Sequence, residues 1–130
     1  MQSKITLVAR LVAAVILGQT LFFKFTGAEE SVHIFTTLGA EPWGRIGSGV
    51  AELIAVLLLL MPRTAAIGGA MTVGLMVGAV GSHLGPLGID VQGDGGTLFT
   101  MALIALVAGA VVAWIGRREL PIVGGLFRKA

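Results

Sequence analysis

"WGRIGSGVAELIAVLLLLMPRTAAIGGAMTVGLMVGAVGSHL", residues 43–84, decides the fold, because it holds two long apolar stretches separated only by Pro62 and Arg63. A helix that crosses a bilayer needs about 20 predominantly apolar residues. The two-residue connection leaves room only for a tight antiparallel hairpin. Four stretches of the chain have the required length: about 5–25, 43–61, 64–84 and 97–116. The sequence therefore predicts an all-α, integral membrane four-helix bundle, with residues 1–130 forming a single four-span domain.

The composition indicates that lipid is the main solvent of this chain. Of its 130 residues, 55% are hydrophobic and only 12% are charged, whereas a soluble domain carries about 25% charged residues. A soluble chain this short could not bury so much apolar surface. The sequence has no cysteine, which excludes disulfides and thiol chemistry by this chain. The pI of about 9.7 does not indicate nucleic-acid binding, because the basic residues lie at the ends of the apolar stretches.

Charge is distributed unevenly between the two sides of the predicted bundle. Seven of the nine basic residues share the side that holds both termini and the 62–63 turn: Lys4, Arg10, Arg63, Arg117, Arg118, Arg128 and Lys129. Lys24 and Arg45 lie on the other side, together with six of the seven acidic residues. Basic residues in short loops mark the cytoplasmic side. We therefore expect both termini in the cytoplasm and the two longer connections outside.

Glu52 is the most informative single residue, because it lies inside the second span. It is nine residues from Trp43, where that span begins, so it lies roughly 13 Å deep at 1.5 Å per residue. An ionised carboxylate at that depth is costly unless it is paired. Two interpretations remain open. Glu52 is either a structural partner of a neighbouring polar group or a functional proton or ligand site.

Four other polar side chains are predicted in the same outer half of the membrane: Gln19, Lys24, Arg45 and His83. Lys24 either extends its stem to the interface or pairs with Glu52, and Arg45 shares a helical face with Glu52. We hypothesise a polar pocket with Glu52 at its floor, Lys24 closing it and Gln19 donating a hydrogen bond. Arg10 lies at the cytoplasmic end of the first span. It is expected either to reach the interface or to make a contact inside the bundle.

The third span carries four glycines on one face, nearly opposite His83: Gly74, Gly78, Gly81 and Gly85. If that face packs inside the bundle, His83 points outward, and if it contacts another subunit, His83 points inward. The Gly74–Gly78 spacing favours close helix association. We therefore expect a homo-oligomer or a hetero-complex, with packing against the fourth span as the alternative. The spacing of histidines and acids does not predict a metal site, and "GDGG" at 93–96 does not predict a phosphate-binding loop.

Several of these residues resemble the DoxX family of small bacterial membrane proteins. The resemblance covers about residues 5–116 and rests on Arg10, on "KFTG" at 24–27, on "GVAELIAVLLLL" at 49–60 and on "GSHL" at 81–84. It implies a multi-pass, four-helix protein of the bacterial inner (cytoplasmic) membrane that is associated with a membrane redox complex. It implies quinone as the ligand class, with no covalently bound cofactor. The candidate residues that it implies, without an assigned catalytic role, are Arg10, Lys24, Glu52 and His83.

Three functional hypotheses therefore remain open. The first is a non-catalytic or quinone-linked subunit of a membrane redox complex, with a polar pocket open to the outer side and a redox enzyme as partner. The second is a structural scaffold for a membrane complex. The third is a small-solute transporter or channel that uses the outward pocket. No residue pattern assigns a catalytic activity to the chain.

Overall fold

The computed structural model describes residues 4–120, and within that range its regular secondary structure is helical, without strands. Its elements, in chain order, are α1 (Lys4–Thr26), α2 (Glu29–Thr37), α3 (Trp43–Leu60), α4 (Ala65–Leu84), α5 (Thr97–Ile115) and a 3₁₀ turn at Arg117–Glu119. Four of these helices, α1, α3, α4 and α5, are long and apolar enough to cross a membrane. The expected all-α bundle of four apolar spans is confirmed, and each expected span lies within a few residues of its helix.

The four long helices form a closed ring in which each packs against two neighbours. The order around the ring is α1, α3, α4, α5, so that α1 lies diagonal to α4 and α3 lies diagonal to α5. Small side chains fill the centre, and Ala13, Ala55 and Ala105 have no exposed surface. Larger apolar side chains such as Val15 and Val107 lie outside, with 68% and 63% of their surface exposed. This distribution suits a bundle that is surrounded by lipid.

The two ends of the bundle differ in how the helices are connected. At one end, here called the turn end, Pro62 and Arg63 join α3 to α4. At the other, here called the loop end, lie α2 and the 85–96 connection. Both longer connections therefore share one end, as the sequence predicted.

Arg10 stabilises the turn end of α3. Its Nε donates to the carbonyl oxygen of Leu59 at 2.7 Å, and its Nη2 donates to that of Leu60 at 2.9 Å. These carbonyl groups belong to the last turn of α3, where no further helical N–H is available to them. The structure therefore shows that Arg10 makes a contact inside the bundle instead of reaching the interface. Fourteen residues of α1 separate Arg10 from Lys24, or roughly 21 Å.

Glycines bring α4 close to its neighbours near the turn end. A Cβ at Gly68 would lie 2.8 Å from the backbone nitrogen of Leu59 in α3, and one at Gly69 would lie 2.7 Å from the carbonyl oxygen of Gly109 in α5. Real side-chain carbons do not approach backbone atoms this closely. Only glycine therefore fits at these two positions without a shift of the helices.

The glycine face of α4 that the sequence singled out is not part of this packing. Gly74, Gly78, Gly81 and Gly85 are exposed, and a Cβ at any of the first three would meet nothing within 4 Å. The alternative that this face packs against the fourth span is therefore wrong within this chain. His83, on the opposite face, is only 5% exposed and points inward.

Helix α2 was not predicted, because its nine residues are too few to give a clear periodic signal. The same tripeptide, Gly-Ala-Glu, follows α1 at 27–29 and α2 at 39–41. In each copy the glycine has a positive φ, +68° and +74° respectively. The alanine N–H then donates back to a phenylalanine carbonyl oxygen, Phe23 at 3.1 Å and Phe35 at 2.8 Å. This glycine-terminated geometry ends both helices and turns the chain back over the bundle.

Candidate functional site

A cavity of about 330 Å³ lies at the loop end, with walls from all five helices. Its surface is mainly apolar, and its polar side chains are Thr20, Lys24, Glu30, Ser31, Ser48, Glu52, Ser82 and His83. Its deepest residues include Leu17 in α1, Glu52 in α3 and Ala102 in α5. One helical turn further toward the turn end, a layer of fully buried side chains closes the cavity: Ala13, Ala55, Thr72 and Ala105. The cavity is therefore a blind pocket in the loop-end half of the bundle.

Lys24 and Glu52 form an ion pair in the wall of this cavity. The Lys24 Nζ lies 2.7 Å from Glu52 Oε1, and the two side chains are 17% and 2% exposed. Of the two alternatives for Lys24, the structure therefore has the pairing with Glu52, and the stem of Lys24 points into the bundle rather than to the interface. A buried ion pair needs further hydrogen bonds to offset desolvation. Thr20 supplies one, since its Oγ1 lies 3.2 Å from the other carboxylate oxygen of Glu52.

Thr20 takes the place that the sequence analysis gave to Gln19. Gln19 is exposed and lies outside the cavity wall, because one residue along a helix turns the side chain by about 100°. The expected hydrogen bond from Gln19 into the pocket is therefore a misassignment. Thr20 precedes Lys24 by four residues, which puts the two on the same helical face. That spacing is the signal that could have identified Thr20.

Helix α2 covers the loop end of the cavity. Ser31 is buried, and Glu30, Ile34 and Phe35 contribute to the wall. The Phe35 ring centroid lies 5.8 Å from the Lys24 Nζ, within the range of a cation–π contact. The ammonium of Lys24 is thus held between a carboxylate in α3 and an aromatic ring in α2. The sequence analysis treated this segment as part of a loop and therefore missed Glu30 and Phe35.

Arg45 lies beside the cavity rather than in its wall. Its Nε donates to the two carboxylate oxygens of Glu41 at 2.8 and 3.0 Å, and its Nη1 donates to the backbone carbonyl oxygen of Lys24 at 2.5 Å. Arg45 therefore ties the end of α1 to the start of α3. It positions Lys24 through the backbone and does not itself face the pocket.

His83 does face the cavity. Its Nδ1 lies 2.9 Å from the backbone carbonyl oxygen of Gly88. A carbonyl oxygen can only accept, so Nδ1 carries the proton, and in the neutral ring Nε2 is then an acceptor. The ring also contacts Phe99 edge to face, with centroids 5.7 Å apart. In its neutral form, His83 therefore keeps Nε2 as a hydrogen-bond acceptor, on a side chain that lines the cavity.

Asp94 fixes the start of α5, whose first turns form part of the cavity wall. Its carboxylate accepts backbone N–H groups from Gly96 at 2.8 Å, from Val91 at 3.0 Å and from Leu98 at 3.1 Å. Burial raises the pKa of Asp94, but these hydrogen bonds and the nearby His83 outweigh it, so the pKa lies below its ordinary value. Asp94 is thus a structural cap, and its spacing from the helix start at Thr97 is the signal that could have found it.

The site brings together Lys24, Glu52 and His83, places Arg45 next to them, and leaves Gln19 and Arg10 elsewhere. Within residues 4–120, no group of three or more His, Asp and Glu side chains is arranged to hold a metal ion. Comparisons with protein-family models, with curated proteins and with solved structures find no match to this chain.

Proposed function

We propose that this chain is a DoxX-like integral membrane protein that binds a quinone in the loop-end cavity. In this proposal it is a non-catalytic, quinone-linked subunit of a membrane redox complex. The observation that supports this most directly is the Lys24–Glu52 ion pair in the wall of an otherwise apolar cavity of about 330 Å³. Small-molecule pockets of roughly 300–1,000 Å³ typically combine apolar walls with a few fixed polar groups.

The polar groups of the cavity are suited to a quinone head group in either redox state. The Lys24 ammonium has three donor protons, and the one directed at Glu52 leaves others for a quinone carbonyl oxygen. The Nε2 of neutral His83 can accept a hydrogen bond from a hydroxyl group of the reduced form. The sequence has no cysteine, so thiol redox chemistry is excluded. The electrons would then come from a partner protein, while this chain binds and orients the ligand.

The wall of the cavity is partly open. Phe23 of α1 and Gly78 of α4 belong to this wall and are themselves exposed. In our proposal a quinone dissolved in the bilayer enters at such an opening. A solute transporter or channel has less support, because the buried layer at Ala13, Ala55 and Ala105 closes the pocket toward the turn end.

We further propose that the turn end faces the cytoplasm of a bacterium and that the membrane is its inner membrane. Lys4, Arg10, Arg63, Arg117 and Arg118 lie at the turn end, which is the pattern of a cytoplasmic side. Trp43 at the loop end is 71% exposed and Trp114 near the turn end is 61% exposed. Exposed tryptophans at both ends of a bundle are typical of the two membrane interfaces.

A second candidate role, as an assembly subunit, is favoured by the exposed glycine face of α4. Glycines at 74, 78 and 81 leave open space where a second helix could approach closely, and faces of this kind commonly mediate helix association in membranes. The partner would be a second copy of this chain or a subunit of the redox complex. The face and the cavity share Gly78, so a partner helix on this face would also lie against the cavity wall.

The quinone proposal is tested by binding to the purified chain in mild detergent. Affinities for a short-chain ubiquinone and a short-chain menaquinone are measured by titration calorimetry for wild type, Lys24→Met and Ala79→Leu, which narrows the cavity without changing charge. We expect the wild type to bind at least one quinone and both variants to bind it at least about tenfold more weakly. Arg63→Gln, a charge change at the turn end, is the control. Equal affinity of wild type and both cavity variants would refute the proposal, as would no binding by a folded wild-type chain.

A further inference from the structure

A second cavity lies at the turn end, on the outside of the bundle between α1 and α5. It is an open furrow of about 670 Å³. Its floor is formed by Ala9 and Ala108, which are 9% and 7% exposed. Its walls are larger apolar side chains that stand out from the bundle, such as Val8 at 58% and Val107 at 63% exposure.

The sequence explains why the furrow is straight. The α1 residues that line it are 5, 8, 9 and 12, and the main α5 residues are 104, 107, 108 and 111. Both sets follow the spacing of one helical face, and the two helices run antiparallel. Each set covers seven residue steps, so the furrow is roughly 10 Å long and parallel to the bundle axis. Its direction is that of a hydrocarbon chain in a bilayer, and its length accommodates part of such a chain.

Lys4 is the only charged or polar residue in the lining, and it lies at the turn-end mouth of the furrow. Its side chain is exposed, and among residues 4–120 none forms an ion pair or hydrogen bond with its ammonium group. The charges at the turn end are mainly positive, and Glu119 is the one acidic residue there among residues 4–120. The carboxylates of Glu29, Glu30, Glu41, Glu52, Asp90 and Asp94 all lie in the loop-end half, and the turn end has five basic residues between 4 and 118. The mouth of the furrow is therefore suited to an anionic group.

We propose that this furrow binds one acyl chain of an anionic phospholipid and that Lys4 holds the phosphate of its head group. The apolar walls accept the chain along the bundle axis, and the ammonium lies where the chain meets its polar head. Basic pockets between transmembrane helices bind anionic lipid head groups. The site is separate from the loop-end cavity, and it does not depend on quinone binding.

The test compares dioleoyl phosphatidylglycerol with dioleoyl phosphatidylcholine, which have the same chains and differ in head-group charge. Native mass spectrometry of the purified protein measures the occupancy of each lipid after exchange from detergent. One lysine near an anionic lipid is expected to favour phosphatidylglycerol by about fivefold. Lys4→Gln should abolish that preference by weakening phosphatidylglycerol binding more than phosphatidylcholine binding. Arg63→Gln, at the same end but outside the furrow, should retain it.

A second variant tests the wall independently of charge. Val107→Ala should weaken the binding of both lipids by a similar factor, whereas Val77→Ala, at an equally exposed position of α4, should not. Neither substitution removes a buried side chain, so both proteins should fold. Equal occupancy of the two lipids in the wild type would overturn the proposal, as would equal effects of Lys4→Gln and Arg63→Gln. A Val107→Ala chain that changes its oligomeric state without changing lipid occupancy would show that a second copy covers the furrow instead.

Discussion

The Lys24–Glu52 pair allows a quantitative test of how a charge is held inside this bundle. Lys24→Met leaves the Glu52 carboxylate without its cation at a site where only 2% of the side chain is exposed. Removing one partner of a buried pair typically costs about 3–5 kcal/mol. Because 17% of the Lys24 side chain is exposed, water can reach the vacated position, and we expect the lower end, about 3 kcal/mol of unfolding free energy.

Replacing Glu52 instead of Lys24 should cost less unfolding free energy. In Glu52→Gln the amide still accepts the hydrogen bond from Thr20, and Lys24 can extend its stem toward the interface, so we expect a loss of about 1–2 kcal/mol. The double variant strands no charge and should be about as stable as Glu52→Gln alone. The coupling free energy between the two positions is then about 3 kcal/mol, the full cost of Lys24→Met alone. The wild type, the two single variants and the double variant form a double-mutant cycle. Loss of the cation–π contact with Phe35 is common to both proteins that carry Lys24→Met, so it cancels from the coupling free energy.

The measurement is unfolding by SDS titration in mixed micelles, followed by far-ultraviolet circular dichroism. The Arg45–Glu41 pair, joined at 2.8 Å with side chains 13% and 21% exposed, provides a comparison cycle, and we expect its coupling to be smaller because Glu41 is less buried than Glu52. The decisive observation is rescue of Lys24→Met by Glu52→Gln. If the two single changes add within about 0.5 kcal/mol, the pair does not stabilise the bundle and the reasoning is wrong.

Four further predictions concern other parts of the chain. Gly69→Ala should destabilise the bundle by about 1–3 kcal/mol because its Cβ would meet backbone atoms of α5. Gly74→Ala should be neutral or stabilising in the same SDS titration. Equal effects of the two substitutions would contradict the close packing of α4 against α5 at Gly69. The native pKa of Asp94 is lowered, so the stabilisation that its carboxylate contributes is complete above the unfolded pKa of about 3.9 and is lost as pH falls through the native pKa. Asp94→Asn should therefore lower the melting temperature at pH 7. The difference in melting temperature from the wild type should shrink below about pH 4. Alkaline phosphatase fused after Ala130 should be inactive if the turn end is cytoplasmic. Disulfide crosslinking of Gly78→Cys in membranes should give a dimer if the glycine face joins two copies.

The number and limits of the spans could be read from the sequence, because hydropathy over about 20 residues is a local property. The turn at Pro62 and Arg63 then fixed the direction of two helices, and the others followed by alternation. The depth of Glu52 was also accessible, since rise per residue is constant in a helix. Lys24 lies near the same end of the bundle by the same argument, so their pairing was one of two alternatives that residue counting left open.

The rotation of each helix about its own axis could not be predicted from the sequence. Helices such as α4 and α5 are apolar on all sides, so hydropathy does not indicate which face lies inside. Only the tertiary structure decided that Gly69 packs against α5 while Gly74 is exposed, that His83 faces the cavity, and that Thr20 rather than Gln19 reaches Glu52. These choices depend on which side chains leave room for a neighbouring backbone at about 3 Å. The sequence by itself determined four apolar helices with an acid and a lysine in their loop-end half, and the packing of glycines and alanines between helices turned those residues into the wall of one pocket.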